Sequence, residues 1–226
     1  MLIKIPALLS RDQVNEFRQV LVNSDWVDGS VTTGYQSAKV KNNYQLPENS
    51  EAAQRLGDRI LSALARNAKF MSAALPLRIY PPMFNCYEGG GNFGVHVDNA
   101  IRQVAGTPVK VRTDVSMTVF FSDPEEYEGG ELVIEDTYGS QSIKFQAGDA
   151  VLYPSTSLHQ VMPVTAGRRL ASFFWIQSMI RSDEQRRLLF DMDTSLQNLQ
   201  QQNADNPELV KLTGVYHNLV RQWAEV

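Results

Sequence analysis

The triplet His96-Val97-Asp98 places an imidazole and a carboxylate two residues apart. On an extended strand, residues i and i+2 project from the same face. The two groups then stand side by side and can share one metal ion. The chain has three histidines, and a second, His159, lies 61 residues beyond Asp98 in another β-rich run, HQVMPV. A distant strand can bring it to the same place. Two imidazoles and a carboxylate on one face of an octahedron leave three positions open. That arrangement suits Fe(II) with a chelating co-substrate and O2. Catalytic zinc is the alternative that these ligand types also allow. A lone His-x-Asp is more often a surface ion pair, and a lone strand histidine is more often simply hydrogen-bonded. Their grouping in one β-rich zone favours the metal. The third histidine, His217, falls on the flank of a helical stripe and reads as a surface or packing residue.

Strands must hold such a cluster, and residues 76–178 supply them. Short β-rich runs alternate there with turn chemistry: RIY, MFNCY, FGVHV, DVSMTVFF, GELVIED, QSIKF, DAVLY, HQVMPV and RLASFFWIQ. The breaks include Asp123-Pro124, Gly129-Gly130, Gly148-Asp149 and Ala166-Gly167. This pattern predicts an all-β sandwich or barrel. No helix-length segment separates the runs, which argues against a parallel βαβ sheet. Gly89-Gly90-Gly91 lacks the Lys-Ser/Thr successor of a phosphate loop and reads as a flexible turn or lid edge.

Helices flank this zone. In residues 1–75, Ser10 with Gln13 matches a capping box, followed by Val14, Phe17 and Leu21 on one face. Ser50 can cap a second helix carrying Leu56, Ile60 and Leu64. In residues 182–226, Ser182 with Gln185 opens a helix bearing Leu189, Met192, Leu196 and Leu199. Asn206-Pro207 then caps a second one, with Leu209, Leu212, Tyr216, Leu219 and Trp223 as its stripe. This predicts a C-terminal helical hairpin packed on the β-core or on a second subunit as a homo-oligomer.

Bulk properties bound the function. The chain of 226 residues has a net charge of −4, without the basic surplus of a nucleic-acid binder. The single cysteine, Cys86, permits no intrachain disulfide and fits a reducing compartment. The start, MLIKIPALLSRDQ, lacks the features of a signal peptide. No stretch reaches the ~18 apolar residues of a membrane span. A cytoplasmic protein without membrane or nucleic-acid partners is the expectation.

Three long segments resemble the Fe(II)/2-oxoglutarate dioxygenase superfamily in its prolyl/lysyl hydroxylase branch. They are FNCYEGGGNFGVHVDNAIR (84–102), TVFFSDPEEYEGGELVI (118–134) and FQAGDAVLYPSTSLHQVMPVTAGRRLASFFWIQS (145–178). Over essentially its full length the chain is similar to the bacterial PKHD-type hydroxylases, which are linked by name to iron uptake. The resemblance implies a fold that is mainly β with flanking helices, a double-stranded β-helix or jelly roll. It assigns the iron ligands to His96, Asp98 and His159. It assigns Arg169, ten residues after the last ligand, to the distal carboxylate of 2-oxoglutarate, with Tyr87 as a further hydrogen-bond donor.

A guanidinium fork suits that task. Arg168 is the competitor, but neighbours on a strand face opposite ways. Arg169, Ala171 and Phe173 would share the inner face, leaving Arg168 in solvent. Phe174 and Trp175 read as core. Asn99 and Arg102 either face substrate or lie on a surface loop.

The implied reaction consumes 2-oxoglutarate and O2, releases succinate and CO2, and hydroxylates a C–H bond of an unidentified substrate. L-ascorbate is a family expectation. Related halogenases replace the carboxylate ligand with a small residue, so Asp98 favours hydroxylation. A non-catalytic iron or 2-oxoglutarate sensor and a cupin-like metalloprotein are the rival readings.

Overall fold

The computed structural model describes residues 1–32 and 40–226. Strands in the middle of the chain build two facing antiparallel sheets. The larger, 8-stranded sheet runs Ile3–Ile5, Ala150–Pro154, Val115–Phe120, Arg169–Ser178, Met83–Tyr87, Tyr44–Gln45 and Val27–Asp28, with Pro76–Ile79 also on Arg169–Ser178. The 5-stranded sheet runs Gly139–Ile143, Leu132–Asp136, His159–Val161, Asn92–His96 and Lys41–Asn42. The order alternates early and late segments, which is the double-stranded β-helix. The N-terminal residues are part of it, because Ile3–Ile5 pairs with Ala150–Pro154 and Lys41–Asn42 pairs with Asn92–His96.

Alternation along the large sheet divides its two faces. Val115, Met117 and Val119 join Leu170, Phe174 and Ile176 in the main apolar core. Ser116, Thr118, Arg169, Ala171, Phe173 and Trp175 occupy the opposite face, towards the small sheet. Helices α1 (Arg11–Val22) and α2 (Glu51–Ala65) cover the outer face with Val14, Phe17, Leu21, Leu56, Ile60 and Leu64. Ser10 and Gln13 form the reciprocal capping box at the start of α1, and the Ser50 hydroxyl accepts from the Ala53 N–H at the start of α2. Phe17 stacks on Phe121, the residue just past the strand Val115–Phe120, at 5.2 Å. Each such buried side chain contributes about 1.5–3 kcal/mol. Truncating Phe17 to alanine would cost about 3–5 kcal/mol.

Two elements escape the sequence pattern. Helix α3 (Ala68–Ala74) is capped by the Asn67 side chain and ends at Leu75 in a left-handed conformation, φ 42°. It is too short for its periodicity to stand out. A two-stranded hairpin, Ile101–Gln103 with Lys110–Arg112, fills the region after the His-x-Asp triplet.

The C-terminal helices α4 (Asp183–Gln202) and α5 (Glu208–Trp223) pack within the chain. Leu189 is fully buried against Leu75 and Ile180, with Tyr216, Leu219 and Trp223 closing over them. Two stripe positions depart from expectation: Leu199 is 41% and Leu212 40% exposed. Both lie towards the α4–α5 turn, beyond the reach of the sheet. His217 is exposed, as its place on the stripe's flank requires. Among the described residues no helix is long and apolar enough to cross a membrane.

Candidate active site

The small sheet brings the two histidines together. His96 and His159 are direct partners across adjacent antiparallel strands, with ring centroids 4.2 Å apart. Val95 and Val97 are half exposed, so His96 and Asp98 turn inward as the two-residue spacing requires. One ligand atom from each of His96, Asp98 and His159 lies within 4.8 Å of the others. His159 Nε2 is 3.7 Å from Asp98 Oδ2.

Surrounding groups orient all three side chains. The Nδ1 of His96 meets the Gly94 carbonyl at 2.8 Å, and the Nδ1 of His159 meets the Ser157 carbonyl at 3.0 Å. A carbonyl can only accept, so each Nδ1 carries a proton and each Nε2 is the ring atom left to face a metal. Burial, reinforced by the field of His159, holds His96 down to about 4. It is therefore neutral at pH 7, the form a metal binds. Phe93 stacks on the His96 ring at 3.6 Å. The Ser116 hydroxyl donates to Asp98 Oδ2 at 2.5 Å and contacts the Ser155 hydroxyl at 2.7 Å. Second-row contacts of this kind fix ligand orientation.

The same cavity contains Tyr87, Arg169 and Tyr153. Arg169 is 1% exposed. Among the described residues its Nε has no hydrogen-bond partner and no carboxylate lies within 4.0 Å. The guanidinium carbon stands 5.4 Å from the Tyr87 ring and 5.4 Å from the Phe120 ring. A buried cation without a carboxylate beside it is costly, and an anion entering the cavity would relieve it. The donor set fits an oxygen-rich dianion beside a divalent metal. Arg168 instead points out, 45% exposed, and pairs with Glu88 at 2.6 Å. Burial pushes Tyr87 up to about 12 and Tyr153 well above its usual value. Both remain neutral donors.

Phe174 and Trp175 are both buried, as the sequence reading expects: Phe174 lies in the main core, and Trp175 in a smaller cluster with Tyr80, Met83 and Val111, from which it also lines the cavity. Asn99 and Arg102 both line the cavity. Asn99 sits at its rim, its carbonyl accepting the Thr113 hydroxyl at 2.6 Å. Lys41, Asn85, Ser116 and Tyr153 complete the wall and were not singled out from sequence. The polar Ser116 and Thr118, alternating with Val115, Met117 and Val119, were the available signal.

This fold and this site define a 2-oxoglutarate-dependent Fe(II) oxygenase. Residues 82–177 match the 2OG-Fe(II) oxygenase superfamily, and residues 183–225 match the PKHD-type hydroxylase C-terminal domain. A PKHD-type hydroxylase of Saccharophagus degradans is 70% identical over 225 residues, covering 100% of both chains. The PKHD-type hydroxylase PiuC of Pseudomonas aeruginosa is 56% identical over 226 residues, again covering 100% of both. The chain belongs to the PKHD-type hydroxylase family. A prolyl hydroxylase from Trichoplax adhaerens, solved with a hypoxia inducible factor peptide fragment, shares the fold at a TM-score of 0.54 and 18% identity, covering 83% of this chain and 86% of that one.

Proposed function

We propose that His96, Asp98 and His159 hold Fe(II), and that Arg169 with Tyr87 holds the distal carboxylate of 2-oxoglutarate. The reaction is then hydroxylation of a substrate C–H bond with release of succinate and CO2. The observation that carries this reading is Arg169, a buried guanidinium without a counter-anion in the cavity of a His-Asp-His cluster. When bound, the metal and co-substrate supply the oxidising power by activating O2.

The chain's own work is placement. The Gly94 and Ser157 carbonyls keep the imidazole Nε2 atoms turned inward. Ser116 steadies the Asp98 carboxylate. Arg169 and Tyr87 fix one end of the co-substrate, and the aromatic walls keep water away from the reacting centre. No protein general base is needed.

Residues 76–178 are, on this reading, the catalytic unit, packed between residues 1–75 and 182–226. Iron uptake is the process the family resemblance favours. Val210, Leu212 and Val215 are exposed on α5, and they offer a surface for self-association that sedimentation of the intact chain would test.

The deciding experiment loads the chain with Fe(II) anaerobically, adds 2-oxoglutarate, follows the weak visible charge-transfer band, then admits O2 and assays succinate. Band and succinate together support the proposal. A band without succinate, with candidate substrates present, favours a sensor. Bound iron without a band would sink the co-substrate assignment.

A further inference from the structure

The cavity carries more positive charge than the metal and co-substrate use. Its charged lining is Lys41, Arg102 and Arg169 against Asp98, in a chain whose net charge is −4. On the reading above, the metal's two charges are offset by Asp98 and by one carboxylate of the co-substrate. Arg169 offsets the other carboxylate. Arg102 remains on the wall as a further positive charge, and beside it lies Lys41, whose ammonium is held down to about 7.

These two side chains form a built group. The Arg102 guanidinium carbon lies 4.3 Å from the Trp175 ring and 5.1 Å from the Tyr80 ring. Among the described residues its Nε is buried without a hydrogen-bond partner, and no carboxylate lies within 4.0 Å of the side chain. Lys41 is 8% exposed and donates to Gln45 Oε1 at 2.8 Å. Its ammonium lies 5.3 Å from the Phe93 ring and 5.7 Å from the Phe173 ring. Phe173 in turn meets Trp175 edge-on at 5.7 Å. Asp28 and then Glu48 act on Lys41 through their fields; the Glu48 carboxylate accepts the Tyr80 hydroxyl at 3.0 Å, and Arg102 is hydrogen-bonded to the same tyrosine.

Trp175 is six residues along the strand from Arg169, roughly 20 Å at strand spacing. One carboxylate cannot serve both ends. A planar guanidinium against an aromatic face presents its fork edge-on to a carboxylate. Burial, then the field of Arg102, holds Lys41 down to about 7; an anion beside it restores the charge.

We propose that Arg102 and Lys41 form a subsite for a carboxylate of the substrate, so that the molecule oxidised here is an organic acid held by its anionic end against the Phe173–Trp175 wall. The inference rests on the co-substrate reading, which sets the charge left over.

The test titrates the anaerobic Fe(II)–2-oxoglutarate form of the intact chain with acetate, hexanoate and phenylacetate, each against its primary amide. Tryptophan fluorescence and the charge-transfer band are both followed. At least one acid should bind tenfold or more tightly than its amide, and Arg102→Gln and Lys41→Gln should each erase the difference. Acids that bind no better than amides, absent binding included, overturn the proposal, as does a difference that survives both substitutions. The wild-type comparison decides even where a variant does not fold. The pair acetyl-Gly-Glu-Gly-amide and acetyl-Gly-Gln-Gly-amide separates the sources: discrimination there assigns the carboxylate to a peptide side chain, and discrimination only among the small acids assigns it to a free acid. A wild-type chain without the charge-transfer band has lost the co-substrate reading. The acid–amide difference in fluorescence still decides the subsite.

Discussion

Tyr87 and Arg169 are direct partners across two antiparallel strands, and the guanidinium carbon lies 5.4 Å from the tyrosine ring. The strand after Gly167 thus delivers its arginine to the place where the strand before the glycine turn delivers its tyrosine. Gly130 seals the arrangement. Its φ is +68°, and a Cβ there would lie 3.1 Å from Arg169 Cδ and 2.9 Å from Tyr127 Cε2. A side chain at 130 would press on the stem that aims the guanidinium.

Arg169→Lys keeps the charge and loses the fork. The 2-oxoglutarate concentration for half-maximal succinate formation should rise about 10- to 100-fold, with a smaller loss of kcat. Arg168→Ala removes only the outer pair with Glu88 and should change that concentration less than about twofold. An unchanged requirement in Arg169→Lys would move the anchor elsewhere.

Ser116→Ala leaves His96, Asp98 and His159 in place but removes the hydroxyl that donates to Asp98. Fe(II) affinity, measured by competition with a chelator, should fall about 10- to 100-fold. His96→Ala and Asp98→Ala should abolish Fe(II)-dependent turnover. Wild-type affinity in Ser116→Ala would show that Asp98 needs no such support.

Lys41 is held at about 7, against 10.5 for an ordinary lysine, chiefly by burial. Between those values the unfolded chain binds the proton and the folded chain does not, so this group makes stability rise with pH. Below about 7 both states are protonated and the full penalty of the buried ammonium applies. Lys41→Met should therefore be more stable than wild type at neutral pH, and its advantage should shrink towards pH 10. Denaturant midpoints at pH 7 and pH 9.5 measure this. An advantage independent of pH would mean that packing, not charge burial, sets the difference.

Burial pushes the Cys86 thiol up to about 12, and the side chain is 2% exposed. The unfolded thiol ionises near 9, so the stability this group contributes is present below 9 and lost as pH rises towards 12. Alkylation by iodoacetamide at pH 8.5 should be at least about 100-fold slower in the native chain than in urea. Equal rates would place Cys86 at the surface.

The sequence alone carried the elements that rest on local periodicity. Ser10 with Gln13 and the Val14–Phe17–Leu21 stripe specify α1 without help from the rest of the chain. The alternation in 76–178 specifies strands, and the two-residue spacing of His96 and Asp98 specifies that they share a face. That Arg168 and Arg169 face opposite ways follows from the same alternation; which of the two turns inward does not. Shorter or less regular pieces were not legible. Helix α3 spans too few residues to show a stripe, and the Ile101–Gln103 hairpin is polar on a chain segment with no strong alternation.

Tertiary structure decided what stands next to what. That His159 faces His96 depends on two strands more than sixty residues apart choosing one register, which no local pattern encodes. That Lys41, from a two-residue strand, reaches the cavity of Arg102 and Trp175 depends on the N-terminal segment joining the small sheet. That Arg169 is buried without a counter-anion can be seen only once every neighbouring carboxylate has been placed. Spacing determines which face of a strand a side chain occupies; long-range pairing determines what that face meets.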